Sequence, residues 1–240
     1  MLTGNPAGIP AGEACAFQLP HDPSAASHAR SLIAATMRQL GYATDPIEDA
    51  KLAVSELATN AFTHASSTAA RPELWIWART CPTPQLVVSV FDADRDTWPV
   101  LRVADPLDEH GKGLSIVVAL SADTGSHFTR SRLTAATGKC VWFTFALPKP
   151  WPAANHVVAP LSAASRLSAA LRARGVPTTC RSDDSGISVL NTGALNVWVE
   201  PKAFSWREGQ SYVRQPLLDL QETAERIISH HETPHTASPA

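Results

Sequence analysis

The chain has 240 residues, which allows one large domain or two small ones. With 44% hydrophobic, 18% charged and 7% aromatic residues, its composition is that of a globular protein. The formal net charge of −2 argues against non-specific nucleic-acid binding, which normally needs a basic face or tail. The longest apolar run, Leu114–Leu120, is far shorter than the roughly 18 residues that cross a bilayer. We therefore expect direct contact with neither nucleic acid nor membrane.

The N-terminus and the cysteines bear on the cellular compartment. Residues 1–20 lack the basic start and the continuous apolar stretch of a secretory signal. The four cysteines are scattered without the pairwise spacing of a metal site: Cys15, Cys81, Cys140 and Cys180. Free thiols are typical of a reducing compartment, so a cytoplasmic location is expected. Abundant alanine and an excess of arginine over lysine suggest a GC-rich bacterial genome.

The first half of the chain predicts helices between strands. Residues 1–23 predict an arm that ends in a short strand at Ala14–Leu19. Apolar spacing predicts a helix over Ser24–Leu40, with Ser24 as its N-cap and Gly41 as its stop. A second helix is predicted from Thr44 to about Ala65, with a proline in its first turn. Further along, strands are predicted at Glu73–Thr80, Gln85–Phe91 and Val141–Leu147, and a helix at Gly113–Ala122.

Prolines between residues 148 and 160 predict a domain boundary, with a linker over 149–160. The pattern that follows, α-β-β-β-α, predicts a small α+β domain of unknown role over 161–231, before a disordered tail over 232–240. Its predicted elements are a helix at Leu161–Arg174, short strands near Thr178–Arg181, Ile187–Leu190, Leu195–Val199 and Phe204–Trp206, and a helix at Leu217–His230.

A polar stripe follows the second helix, where Glu56, Asn60 and His64 lie four residues apart. The stripe lies among small and apolar residues, whereas a solvated helix face would carry more lysine and glutamate. An Asn amide oxygen can bind Mg²⁺, and a Glu one turn away could deprotonate an attacking hydroxyl. A solvated helix face remains the alternative.

Two further features fit a nucleotide. Asp92 ends an apolar strand, where it could accept a hydrogen bond from the amino group of a base or cap a turn. Gly111 and Gly113 flank Lys112 at the start of the next helix. Backbone amides and the helix dipole there favour a phosphate, although an ordinary glycine-rich turn has the same sequence. The spacing excludes a Walker loop and a dinucleotide fingerprint.

Taken together in this order, these features make residues 24–147 similar to the GHKL (Bergerat-fold) ATPase superfamily. Within it, the chain most resembles the anti-sigma-factor serine kinases of the RsbW and SpoIIAB type. The matching segments are Ser55–Ala65 for the N box, Val90–Asp92 and Glu109–Leu114 for the two glycine boxes, and Gly138–Phe143 for the closing strand. The resemblance implies an α/β two-layer sandwich over residues 1–148, with a mixed sheet and helices on one face.

The resemblance also implies ATP and Mg²⁺ as cofactors. Asn60 would bind Mg²⁺, Glu56 would act as the general base, and Asp92 would hold the adenine amino group. Residues 95–110 would form a lid over the nucleotide. The other residues of the implied nucleotide site are His64, Gly111, Lys112, Gly113, Leu114 and Cys140.

Two positions depart from the family pattern. Asp94 stands where the family has a glycine, and it adds negative charge near a polyanion. Cys140 stands where the family has a threonine that helps to hold the adenine, and a thiol is a weak hydrogen-bond partner. Both changes bear on nucleotide affinity and leave the fold unaffected.

The function implied by the resemblance is phosphorylation of a serine or threonine on a STAS-type anti-anti-sigma factor, sequestration of a sigma factor, or both. A homodimer fits this family. Two alternatives remain: a nucleotide-gated binding module without phosphotransfer, and a scaffold that binds no nucleotide. In the C-terminal part, Trp198 and Trp206 are core residues or a partner surface. His230 and His231 lie at a fraying helix end, where metal binding is not expected.

Overall fold

The computed structural model describes residues 2–64, 70–99, 113–151, 158–183 and 186–233. A first sheet contains six strands in the order β1-β2-β3-β4-β6-β5, and all neighbouring strands run antiparallel. The strands are β1 (Leu2–Thr3), β2 (Ala14–Gln18), β3 (Glu73–Arg79), β4 (Gln85–Asp92), β5 (Asp123–Arg130) and β6 (Thr137–Ala146).

Three helices cover one face of this sheet, here called the inner face. They are α1 (Ala25–Gln39), α2 (Thr44–His64) and α3 (Gly113–Leu120). Because side chains alternate along a strand, Leu86, Val88 and Val90 of β4 point into the core beneath these helices. The expected α/β sandwich is thus confirmed, with a sheet whose strand pairs are all antiparallel where a mixed sheet was expected. Among the described residues, no helix is long and apolar enough to span a membrane.

A second sheet has five strands in the order β11-β10-β9-β8-β7, again antiparallel. They are β7 (Thr179–Ser182), β8 (Ser188–Asn191), β9 (Asn196–Val199), β10 (Ala203–Glu208) and β11 (Ser211–Pro216). Two helices flank them in sequence, α4 (Pro160–Ala173) and α5 (Leu220–Glu232). Both helices contribute to a separate hydrophobic core that includes Trp206, whereas Trp198 is 49% exposed.

The expected α-β-β-β-α pattern needs a correction, because the C-terminal sheet has two more strands than its three. The unexpected strand β11 returns from β10 through a two-residue turn in which Gly209 has a φ of 58°. Strand β5 was also missed, since polar and small residues make up most of it. The N-terminal arm forms β1, a 3-10 helix at Pro6–Ala11, and β2.

Helix α5 covers the second face of the first sheet, here called the outer face, which carries Trp75, Trp77, Phe91 and Cys140. Along α5, the carboxylates Glu222, Glu225 and Glu232 are spaced so that they share one side of the helix. Each meets arginines of the first sheet or its flanking loops. Glu222 pairs with Arg79, and Glu232 pairs with Arg95 and Arg130.

Glu225 lies at the centre of this interface and is almost fully buried. Its Oε1 accepts a hydrogen bond from Arg132 Nη2 at 2.7 Å and another from Arg174 Nη1, and its Oε2 accepts one from Thr129 Oγ1 at 2.9 Å. Burial alone would raise the pKa of Glu225, but Arg174 and Arg132 outweigh it and hold that pKa well below its usual range.

Replacement of Glu225 by Gln should destabilise the protein strongly, because it leaves Arg174 and Arg132 without their shared anion. Breaking a buried ion pair in this way costs about 3–5 kcal/mol. Glu208→Gln is the matched control: Glu208 pairs with the half-exposed Arg226, and such a pair contributes about 0–1 kcal/mol. Urea unfolding at pH 7 measures both; equal losses would contradict the central role of Glu225.

Candidate functional site

The polar stripe of α2 lies at the edge of the helical layer. Glu56 and Asn60 are half-buried and one helical turn apart. Within the part of the chain that the structure describes, neither side chain makes a hydrogen bond or an ion pair. His64 is the last residue of α2, and its side chain lies outside what the structure describes. The described residues therefore leave the carboxylate of Glu56 and the amide of Asn60 without a side-chain partner.

The carboxylate of Glu56 reaches the first residue of α3. A Cβ atom built on Gly113 would lie 2.5 Å from Glu56 Oε2, so the absence of a side chain at Gly113 makes room for this carboxylate. The N-terminus of a helix favours negative charge, which is the property expected of a phosphate subsite. Leu114 packs against the core of the sandwich. The described residues do not include Gly111 or Lys112. They also exclude residues 100–110, which are most of the expected lid.

Asp92 ends β4 directly opposite Lys139 of β6, and the two side chains form a buried ion pair. Lys139 Nζ lies 2.8 Å from Asp92 Oδ2, and the side chains are 5% and 8% exposed. The second oxygen, Oδ1, accepts the backbone N–H of Asp94 at 2.9 Å. Lys139 also donates to the Asp94 carbonyl, so one ammonium group holds both aspartates of the first glycine box.

Lys139 is not among the residues predicted from the sequence, although pairing of the closing strand with β4 places it opposite Asp92. The predicted residue of this strand is its neighbour, Cys140. Successive side chains of a strand point to opposite faces, so the Cys140 thiol lies on the outer face against Trp75 and Phe91. The structure does not bring Cys140 to Asp92, which removes the reason for expecting that thiol beside an adenine.

On the outer face, Cys140 Sγ lies 3.3 Å from Nε2 of His127, the residue directly opposite on β5. Burial lowers the pKa of His127, but the nearby Cys140 and Glu225 outweigh that effect and raise the pKa to about 10. His127 Nε2 also lies 3.5 Å from Glu225 Oε2. This cluster is on the opposite side of the sheet from Glu56 and Asn60.

The chain belongs to the histidine kinase-like ATPase domain family, whose model matches residues 19–145. The match spans all three helices of the inner face and ends within β6, so it contains Glu56, Asn60, Asp92 and Lys139. A GHKL-type ATPase domain and an ATP-binding regulatory protein are thereby supported. No curated protein matches the chain.

The buried pair of Asp92 and Lys139 predicts strong coupling between the two residues. Lys139→Met and Asp92→Asn each leave one buried charge without its partner, and each should cost about 3–5 kcal/mol. The double variant removes both charges and should cost clearly less than the sum of the single changes. Chemical unfolding of the four proteins gives the coupling energy. Additive losses would mean that the two side chains do not interact in solution.

Proposed function

We propose that this chain is a cytoplasmic regulatory kinase, which transfers the γ-phosphoryl group of ATP to a serine or threonine of a protein antagonist. The antagonist in this proposal is a STAS-type anti-anti-sigma factor, and the regulated partner is a sigma factor. The observation that carries the proposal is the pair of Glu56 and Asn60 on α2, whose side chains bond to no described residue, with the Glu56 carboxylate beside Gly113 at the start of α3. The family match supports the nucleotide in this proposal.

The phosphate end of the site has the groups that phosphotransfer needs. ATP with Mg²⁺ would supply the activated phosphoryl group and the counter-charge. Asn60 would offer its amide oxygen to the metal, which prefers hard oxygen ligands. Glu56 would accept the proton of the attacking hydroxyl, and the free N–H groups at the start of α3 would bind phosphate oxygens.

At the end of the site that would hold the base, Asp92 is paired with Lys139. Asp92 accepts two hydrogen bonds from the described residues, and a carboxylate can accept about four, so it could still accept one from the amino group of a base. An ammonium group has three donors, of which Lys139 uses one on Asp92 and one on Asp94. The third can bond a ring nitrogen of the base. The ion pair therefore fits an adenine.

A second candidate, a nucleotide-gated binding module, is favoured by Arg95. This residue begins the expected lid, and its Nη2 donates to the carbonyl oxygen of Glu232 at 2.8 Å. Glu232 is the last residue of α5. Movement of the lid on nucleotide binding would be transmitted to α5 through this hydrogen bond. The bound nucleotide could therefore change the affinity for a partner without phosphotransfer.

The first experiment is calorimetric titration with ATP in the presence of Mg²⁺. Asn60→Ala should weaken binding by about tenfold or more, because it removes a metal ligand, whereas Thr59→Ala on the exposed side of α2 should not. The Asn60 effect should disappear when Mg²⁺ is replaced by EDTA. Absence of any ATP binding by the wild type would contradict both candidate functions.

Transfer of labelled γ-phosphate to a panel of purified STAS-domain proteins then separates the two candidates. Glu56→Gln should reduce transfer by about 10²–10⁴-fold with ATP affinity retained, since general-base catalysis contributes that much. Glu48→Gln changes an exposed carboxylate of the same helix and should leave transfer unchanged. ATP binding that alters partner affinity without any transfer would favour the gated module instead.

A further inference from the structure

Three side chains with metal-binding atoms meet on the outer face, and the nucleotide site uses none of them. They are His127 of β5, Cys140 of β6 and Glu225 of α5, and their ligand atoms all lie within 4.8 Å of one another. Within the described ranges, this is the one group of three such side chains that could hold a metal ion. Cys140 and Glu225 are buried, and His127 is half-buried.

Two of the three distances between these atoms match those around a small divalent ion, and the third is within 4.8 Å. His127 Nε2 lies 3.3 Å from Cys140 Sγ and 3.5 Å from Glu225 Oε2. Bonds of about 2.0–2.3 Å to a tetrahedral Zn²⁺ place its ligand atoms roughly 3.3–3.8 Å apart. The three atoms therefore need only small movements to surround an ion. A thiolate with an imidazole selects Zn²⁺ or a similar transition metal over Mg²⁺ and Ca²⁺.

The surroundings hold the carboxylate in place. Arg132 and Arg174 bind Oε1 of Glu225, while Oε2 accepts a hydrogen bond from Thr129 Oγ1 at 2.9 Å and a long one from Arg174 Nη2 at 3.4 Å. A metal ion at Oε2 would therefore displace the long contact with Arg174. Outer contacts of this kind orient metal ligands in proteins. The two guanidinium groups disfavour a further cation. Metal binding releases two protons to the solvent, one from the Cys140 thiol and one from the His127 imidazolium, whose pKa is raised. The resulting thiolate adds a negative charge that offsets part of this cost.

We infer that His127, Cys140 and Glu225 form a site for Zn²⁺ or a chemically similar divalent ion, with a water molecule as the fourth ligand. The half-buried position of His127 gives that water access. Two ligands come from the first sheet and one from α5, so the bound metal would tie the C-terminal helix to the outer face. The site is independent of the nucleotide and of phosphotransfer.

The test uses the full-length, tag-free protein, treated with a chelator and then titrated with Co²⁺ under a phosphine reductant. Wild type should bind one equivalent and show a thiolate-to-cobalt charge-transfer band with the intense visible bands of a tetrahedral site. Cys140→Ser should lose the charge-transfer band, and His127→Gln should bind at least about tenfold more weakly. Cys180→Ser changes an exposed thiol and is the matched control.

A second measurement, thermal unfolding with Zn²⁺, does not rely on replacing the buried Cys140. Zn²⁺ at 100 times its dissociation constant should raise the wild-type Tm by roughly 5–10 °C, and the same concentration should not raise that of His127→Gln. Circular dichroism checks that each variant is folded. Absence of the charge-transfer band in folded wild type, its persistence in Cys140→Ser, or its loss in Cys180→Ser would overturn the inference.

Discussion

The carboxylate of Glu225 is the constraint on which the arrangement of the whole chain depends. It lies between the first sheet and the C-terminal half, and it is the shared anion of Arg132 and Arg174. Neither arginine could be buried at this interface alone, because an unpaired guanidinium is costly to remove from water. The two halves have separate hydrophobic cores. What joins them is mainly charge and hydrogen bonding, with the tryptophans of the outer face beneath.

This polar interface gives the first sheet a different chemical character on each side. The inner face carries the polar stripe of α2 and the pair formed by Asp92 and Lys139. The outer face is bound to α5 through arginines. Arg95 follows the first glycine box directly and binds the end of α5, so it connects the two sides through the loop after β4. A change of conformation at the end of β4 would thus reach the C-terminal half through the backbone up to Arg95 and then through the hydrogen bonds of Arg95 with Glu232.

The elements that the sequence predicted well have strong periodicity and clear ends. Helix α2 and strands β3 and β4 were placed within a residue or so, because their apolar residues recur at a single period. Strands β5 and β11 were missed, since polar residues dominate both and pairing with a neighbouring strand defines them. The acidic side of α5 could not be told from a solvated helix face, as its arginine partners are distant in sequence.

Some residues of the candidate site could be predicted from the sequence, and others could not. Glu56, Asn60 and Asp92 were found because short motifs carry them in a fixed order. Lys139 was not found, because its importance depends on which residue of β4 it faces. The contacts of Cys140 were also out of reach, since motif matching compares residue types and ignores the side of the sheet to which each side chain points.

The register of strand β6 limits the sequence changes that the chain can accept. Lys139 and Cys140 are adjacent, yet one neutralises an aspartate beneath the helices and the other contacts a histidine under α5. A one-residue slip of β6 would turn the ammonium toward the tryptophans and the thiol toward Asp92. Both exchanges would leave a buried charge unpaired. The register of this strand is therefore specified twice, once from each side of the sheet, and insertions near Gly138 should be the least tolerated in the chain.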